Sequence, residues 1–456
     1  MKIKSYCSLF FLLFFLCSFL YSKNFDWGSL NVRSLSKYQV QWSDTPDKNI
    51  VSGDSNDQDF YEILGVDAFH KKSGLSFNFL GKYKKDLDGT PEGSIFQDYV
   101  DTRANKEEVN ILYAYIEKED IFGKIDFRLG RQYAYSSETV HFDGLYLKLH
   151  DFGLKHVNLS LFGGSIVQYY SNLHQDGVGG INLEINPFEK FTFYIDSVFY
   201  QKTSYESGIY WMPLDYLKVN AKWSMINSHK RFWDINVEGT CPVTKTLVNF
   251  EVYNHYRIRV QDDFLYDYTS TVSDNIGKDI KRFFLGRELG YTDYIISLSQ
   301  PIPKYEGIAL FVRFMKRNIF HNYYEDLYNT DFYSWTTGLS IENFAPLKGT
   351  KFNLGFTYWK EQRNKYYEGK SKSFFADLEQ EIGEKFEIKG GFFYKTEDVN
   401  SLIEGEAAHN YYGAIKYKFS EDKWAQIKYE YETDDYYHEF GLDHINILTI
   451  SLHYTF

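Results

Sequence analysis

Apolar and polar residues alternate along most of this chain. Leu75, Phe77 and Phe79 are separated by Ser76 and Asn78, and Ile125, Phe127 and Leu129 by Asp126 and Arg128. The same period runs through Leu217, Val219, Ala221, Trp223 and Met225, through Ile308, Leu310, Val312 and Phe314, and through Phe352, Leu354, Phe356 and Tyr358. It returns at Phe386, Ile388, Phe392 and Tyr394, and closes the chain at Leu448, Ile450, Leu452, Tyr454 and Phe456. Successive side chains of a strand point to opposite faces, so each stretch predicts a strand with one apolar and one polar face. A large soluble sandwich or propeller would also alternate, but it would break more often at Gly and Pro.

The connections carry a second signal, because short and long ones alternate. The short set includes residues 119–123, 151–155, 186–189, 213–216, 241–245, 301–304, 346–349, 382–385 and 420–423. Several place Pro or Gly before a lysine that starts the next strand, as in Asn186-Pro-Phe-Glu-Lys, Cys241-Pro-Val-Thr-Lys and Gly383-Glu-Lys. Between them lie polar loops at 43–58, 86–106, 259–288, 319–331, 361–371, 396–408 and 433–444. Short turns on one side and long loops on the other are the order of an all-β, up-and-down transmembrane barrel. One strand on each side of every connection gives about 22, with 18 or 20 if the short segment 207–212 or the stretch from Leu30 to Trp42 stays outside the wall. Both chain ends then fall on the short-turn, periplasmic side.

One hairpin can be registered from its side chains, with a turn near Ser228. Trp223 then meets Trp233, Ala221 meets Ile235 and Val219 meets Val237 on an apolar, lipid-facing side. Lys222 meets Asp234, Asn220 meets Asn236 and Lys218 meets Glu238 on the other. A slip of one residue would put the lysines into lipid. The same parity directs Asp126, Arg128, Glu184, Asp196, Glu251, Arg313, Asp377, Lys389, Lys416, Lys418 and Lys428 into the lumen, where water can solvate them.

The amino terminus adds a destination. Lys2 and Lys4 precede an apolar run from Leu9 to Leu20 and a small residue, Ser22. A run of about a dozen residues is short for a helical span of about 20, so residues 1–22 read as a cleaved signal peptide and 23–456 as one barrel domain. Cys7 and Cys17 leave with the leader and Cys241 stays alone, which excludes an internal disulfide and metal sites made of cysteine pairs. Loss of the two lysines makes the remainder two charges more negative than the −12 of the full chain, so a sequence-general nucleic-acid partner is not expected. The 41 tyrosines and 40 phenylalanines suit strands and membrane interfaces.

Candidate chemistry is sparse. The loops carry acids, at Asp54, Asp57 and Asp59, at Asp86, Asp88 and Glu92, at Asp262, Asp263 and Asp267, and at Glu432, Asp434 and Asp435. They read as a solvated rim, with divalent-cation binding as the functional version; Asp86-Leu-Asp88-Gly89 lacks the glutamate of an EF-hand. His141, Asp143, Ser136 and Ser137 hold the parts of a catalytic triad but lie on one hairpin without a Gly-x-Ser-x-Gly elbow. No cofactor motif is present, and no enzyme activity is expected.

Leu129-Gly130-Arg131-Gln132, followed by Phe142-Asp143-Gly144-Leu145, resembles the Gly-Arg-Gln and Phe-Asp-Gly strands of outer-membrane porins and alginate-export-like barrels. Tyr454-Thr455-Phe456 resembles their aromatic carboxyl-terminal assembly signal. The resemblance implies a Gram-negative outer-membrane channel for small hydrophilic solutes, embedded in outer-membrane lipid and inserted by the barrel-assembly machinery through Phe456. Alternatives are a sleeve for a periplasmic or export partner and a surface enzyme or adhesin with active loops. From the residues themselves, Arg131 is expected diagonal to Asp143, outward near the rim unless a bulge at Gly130 turns it inward, as a structural clasp. The loop from Val260 to Gly286 is expected to fold inward and narrow the lumen.

Overall fold

The computed structural model describes residues 23–43, 56–88, 106–167, 177–200, 202–256, 290–305, 307–320, 331–343, 348–364, 367–399, 407–434 and 442–455. Period-two sequence becomes strand throughout. The strands are β1 (Lys23–Phe25), β2 (Gly28–Trp42), β3 (Asn56–His70), β4 (Leu75–Asp86), β5 (Glu107–Ile121), β6 (Ile125–Tyr135), β7 (Thr139–Leu149) and β8 (Val157–Ile166). Next come β9 (Gly177–Phe188), β10 (Phe191–Phe199), β11 (Thr203–Leu214), β12 (Leu217–Ile226), β13 (His229–Thr240), β14 (Leu247–His255) and β15 (Tyr291–Pro301). The rest are β16 (Ile308–Ile319), β17 (Asp331–Glu342), β18 (Thr350–Asn364), β19 (Tyr367–Ile382), β20 (Phe386–Val399), β21 (Ala407–Ser420), β22 (Lys423–Asp434) and β23 (Ile445–Thr455).

Each strand pairs antiparallel with the next, and β2 pairs with both β3 and β23, from Arg33↔Thr455 to Trp42↔Asn446. The sheet therefore closes on itself. β1 joins only the first residues of β2, through Lys23↔Leu30 to Phe25↔Gly28, so 22 of the 23 strands form the ring. Closure leaves no unpaired edge, which is what a sheet needs in lipid. No helix among the described residues is long and apolar enough to cross a membrane.

The outer wall is apolar and exposed, with Leu310, Val312 and Phe314 at 50%, 46% and 38%. Such a continuous apolar surface fits a hydrocarbon surround, and the polar alternates then face a wet interior. Glu62 also stands on the outward face, beside Leu64, and the Ser34 and Ser36 hydroxyls donate to its two carboxylate oxygens.

The expected hairpin has the expected register, with Trp223↔Trp233, Lys222↔Asp234 and Lys218↔Glu238. Near the turn a bulge at Arg231 shifts the pairing to Met225↔Lys230, and Asn227 turns with φ of 50°. Two expectations change. Within 361–371, β18 and β19 continue to an Asn364↔Tyr367 pair. Asp57, Asp59, Asp86, Glu432 and Asp434 belong to strands rather than loops. The stretches 207–212 and Leu30–Trp42 both lie in ring strands, as the count of about 22 requires. The loop from Val260 to Gly286 and Phe456 lie outside the described residues.

Candidate functional site: the inner wall and an inward hairpin

Each polar alternate named from the sequence stands on the inner face, and many neutralise one another across strands. Lys218 pairs with Glu238 at 3.0 Å, and Arg128 bonds Glu117 while lying over the rings of Tyr115 and Tyr146 at 5.7 and 5.3 Å. Asp126 accepts from the Asp120 backbone N–H and meets His150. Lys389 sits 2.7 Å from Glu379 and 2.9 Å from Glu387, with Lys416 3.5 Å and Lys418 3.6 Å from Glu387. Lys428 meets Glu430 at 2.7 Å, and Tyr412 donates to Asp377 at 2.6 Å. Glu184 accepts from Asn158 and Asn186, and Asp196 from Asn182. Lys222 lies opposite Asp234, Glu251 beside Asn236, and the exposed Arg313 between Ser297 and Thr336.

Sequence reasoning missed a second chain of contacts on this wall, because it depends on the register of each pair from β15 to β18. Arg317 is clamped by Asp293 through bonds of 2.8 and 2.7 Å. Its guanidinium lies 4.0 Å from the Tyr291 ring centre and 5.2 Å from that of Phe332, and Phe332 packs on Trp359.

The Gly-Arg-Gln and Phe-Asp-Gly segments build a crease. Gly130, Gly144 and Gly164 stand in one rung across β6, β7 and β8. A Cβ on Gly144 would meet the Gly163 carbonyl oxygen at 2.2 Å, and one on Gly130 would meet that of Ala114 at 2.3 Å. Backbone approaches this close exclude side chains. Beyond the rung, β6 leaves β5, whose last pair on the loop side is Ala114↔Arg131, and β7 leaves β8 at Phe142↔Ile166. The hairpin tip then bends inward. Buried Gln132 bridges the bend by donating to the Gly144 carbonyl at 3.0 Å, and His141 Nε2 donates to the Leu112 carbonyl at 2.8 Å.

The tip reaches across to β11 and β13. Ser137 donates to the Ser204 carbonyl, Ser204 donates to Glu138 at 2.9 Å, and Arg231 pairs with Glu138. Beneath it Ala134, Val140 and Phe142 pack on the inward-facing Ile166, Val178, Val198 and Ile226, none more than 5% exposed. Side chains on the inner face can be sealed this way only by something inside the barrel. The β6–β7 tip thus covers part of the inner wall at the long-loop end.

Arg131 clasps Asp143 from outside the crease, with two bonds of 2.8 Å. The pair is directly opposite rather than diagonal, because the turn centres on residue 137, and no bulge turns Arg131 inward. The triad parts are engaged elsewhere, Asp143 with Arg131 and His141 with a backbone carbonyl. Near the loop end the carboxylates of Asp57, Asp86 and Asp88 lie within 4.8 Å of one another. Lys106 stands 3.9 Å from Asp86 of this group, and the neighbouring Asp59 has Lys84 at 2.9 Å.

No protein-family model matches the chain, and no curated protein matches its sequence. Among solved structures it is similar to OccAB2 of Acinetobacter baumannii, with 10% identity over 94% of this chain and 98% of that one, at a TM-score of 0.47. A BenF-like porin from Pseudomonas fluorescens Pf-5 gives 11% identity, coverage of 95% and 100%, and a TM-score of 0.47. The P pilus usher translocation pore PapC gives 8%, 93% and 99%, and 0.48. At these levels the likeness concerns the barrel fold alone.

Proposed function

We propose that the mature chain, cleaved after Ser22, forms a passive channel for small hydrophilic solutes in a bacterial outer membrane. The observation that carries this is the pairing of an exposed apolar outer wall with an inner wall of charged side chains, including the exposed Arg313 and the half-exposed Lys218 and Glu238. Charges remain on such a wall only where water reaches them. Acids and bases occur together and largely in pairs, which favours weak charge selectivity over an arginine-rich path. Kinship with alginate-export-like barrels is the finer reading, supported by the Gly-Arg-Gln and Phe-Asp-Gly strands and not by the lumen charge.

Folded protein in planar lipid bilayers is expected to give stepwise ion currents with shallow cation or anion preference. Absence of current from heat-modifiable, fully folded barrel would overturn the channel reading.

A further inference from the structure

On the outer wall each strand from β16 to β19 passes, toward the long-loop end, from aliphatic or aromatic residues to tyrosine or lysine. β16 reads Leu310, Val312, Phe314 and then Lys316; β18 reads Leu354, Phe356, Tyr358 and then Lys360; β19 reads Leu378, Ala376, Phe374 and then Lys372 and Lys370. The register puts Tyr294, Lys316, Tyr333, Lys360 and Lys370 side by side in one rung across β15 to β19. Lys372 stands one step toward the apolar band, opposite Tyr358. Lys316, Lys370 and Lys372 are exposed.

Lys360 and Lys370 are directly opposite, an arrangement that repels. Elsewhere at this level the protein avoids such repulsion: Lys85 on β4 has Glu107 on β5 at 2.6 Å. Asp398, opposite Lys370 in the register, is the acid at the edge of the rung. Four lysines spread over three strand spacings, roughly 15 Å, form an anion-complementary surface, where hydrocarbon gives way to headgroups. Tyr333, Tyr358 and Trp335, with ring centres about 6 Å apart, supply the amphipathic rings that sit at that depth.

Resting on the reading of this barrel as an outer-membrane channel with its long loops outside, we infer that the Lys316–Lys360–Lys370–Lys372 face holds a phosphorylated glycolipid of the outer leaflet. Ammonium groups contact its phosphates and the aromatic girdle its acyl-proximal sugar. The ligand class is a lipid with two phosphates on a disaccharide headgroup, because lysines spread over roughly 15 Å exceed the reach of a single phosphate.

The test uses full-length folded barrel in detergent, titrated with diphosphoryl lipid A and followed by native mass spectrometry. The quadruple variant K316Q/K360Q/K370Q/K372Q is expected to bind at least tenfold more weakly, the K316Q/K372Q pair about threefold more weakly, and the four-arginine variant like wild type. K85Q is expected to bind within twofold of wild type. Equal binding by wild type and the glutamine variants would overturn the inference, as would equal affinity of wild type for dephosphorylated lipid A or for phosphatidylglycerol. If the quadruple variant does not fold, the double variant decides. These lysines face away from the lumen, so the variants should conduct like wild type; loss of current in wild type itself would count against the channel and leave the lipid measurement intact.

Discussion

Gly144 has no room for a side chain, because the Gly163 carbonyl stands where its Cβ would be. Gly144→Ala must therefore separate β7 from β8 at the crease, at a cost of about 1–3 kcal/mol by overpacking alone. The expected outcome is a lower midpoint for loss of the compact, heat-modifiable form in a urea or temperature series, with no change expected for Gly74→Ala beyond the strain of its own turn. At this scale the sequence was readable as parity: Asp126, Arg128 and Glu251 stand on the inner wall because Phe127, Leu129 and Phe250 are their outward neighbours. Parity alone also places Lys316 and Lys360 outward, next to Phe314 and Tyr358. Why Gly130, Gln132 and Gly144 occur together could not be read that way. Their reason is close backbone approach, of β6 to β5 at Gly130 and of β7 to β8 at Gly144, with Gln132 bridging the bend, and this leaves no hydrophobic pattern behind.

The β6–β7 hairpin is a strand pair that leaves both its neighbours, and it holds its place by the Glu138–Arg231 ion pair, hydrogen bonds to Ser204 and Leu112 and a small apolar contact. Removing one partner of a buried pair typically costs about 3–5 kcal/mol, comparable with the burial of Val140 and Phe142 at about 1.5–3 kcal/mol each, and so enough to loosen the tip. Glu138→Gln is therefore expected to release the tip and produce larger or fluctuating single-channel steps; conductance identical to that of the unaltered protein would show that the tip does not narrow the path. The hairpin at Trp223 and Trp233 was legible to the residue because both its faces carry a pattern. The inward turn of β6–β7 was not, because the packing of Val140 against Val198 and Ile226 joins segments far apart in sequence, and the same short turn would also suit a hairpin that stayed in the wall. The connection from Val260 to Gly286 drew attention by its length, yet the element seen to enter is one of the shortest.

For the whole molecule, the alternation of short and long connections gives a direction that chemistry can check. Cys241 is exposed in a short turn and is the single cysteine after residue 22, and hydrogen bonding from the Thr244 hydroxyl holds its thiol below the ordinary range. More of it is thus thiolate at neutral pH than for a free cysteine, which speeds reaction with a maleimide. A membrane-impermeant maleimide should leave Cys241 unlabelled on intact cells and label it once the outer membrane is permeabilised. Labelling of intact cells would reverse the orientation and with it the leaflet assigned to the lysine face. Strand number and closure were legible at this scale because every connection leaves its own composition in the chain.

The seam between β2 and β23 joins the first long strand to the last, from Arg33↔Thr455 to Trp42↔Asn446. Such contacts have nearly the greatest sequence separation the chain allows, and ordering that much polypeptide before they form makes closure slow. The ring cannot be completed while the carboxyl terminus is still being delivered. Until then β2 and β23 each present a bare row of backbone donors and acceptors, and an outside strand that lends itself to those rows would act as a template for the missing neighbour. Closure of the seam would then require such a strand to give way to the chain's own other end.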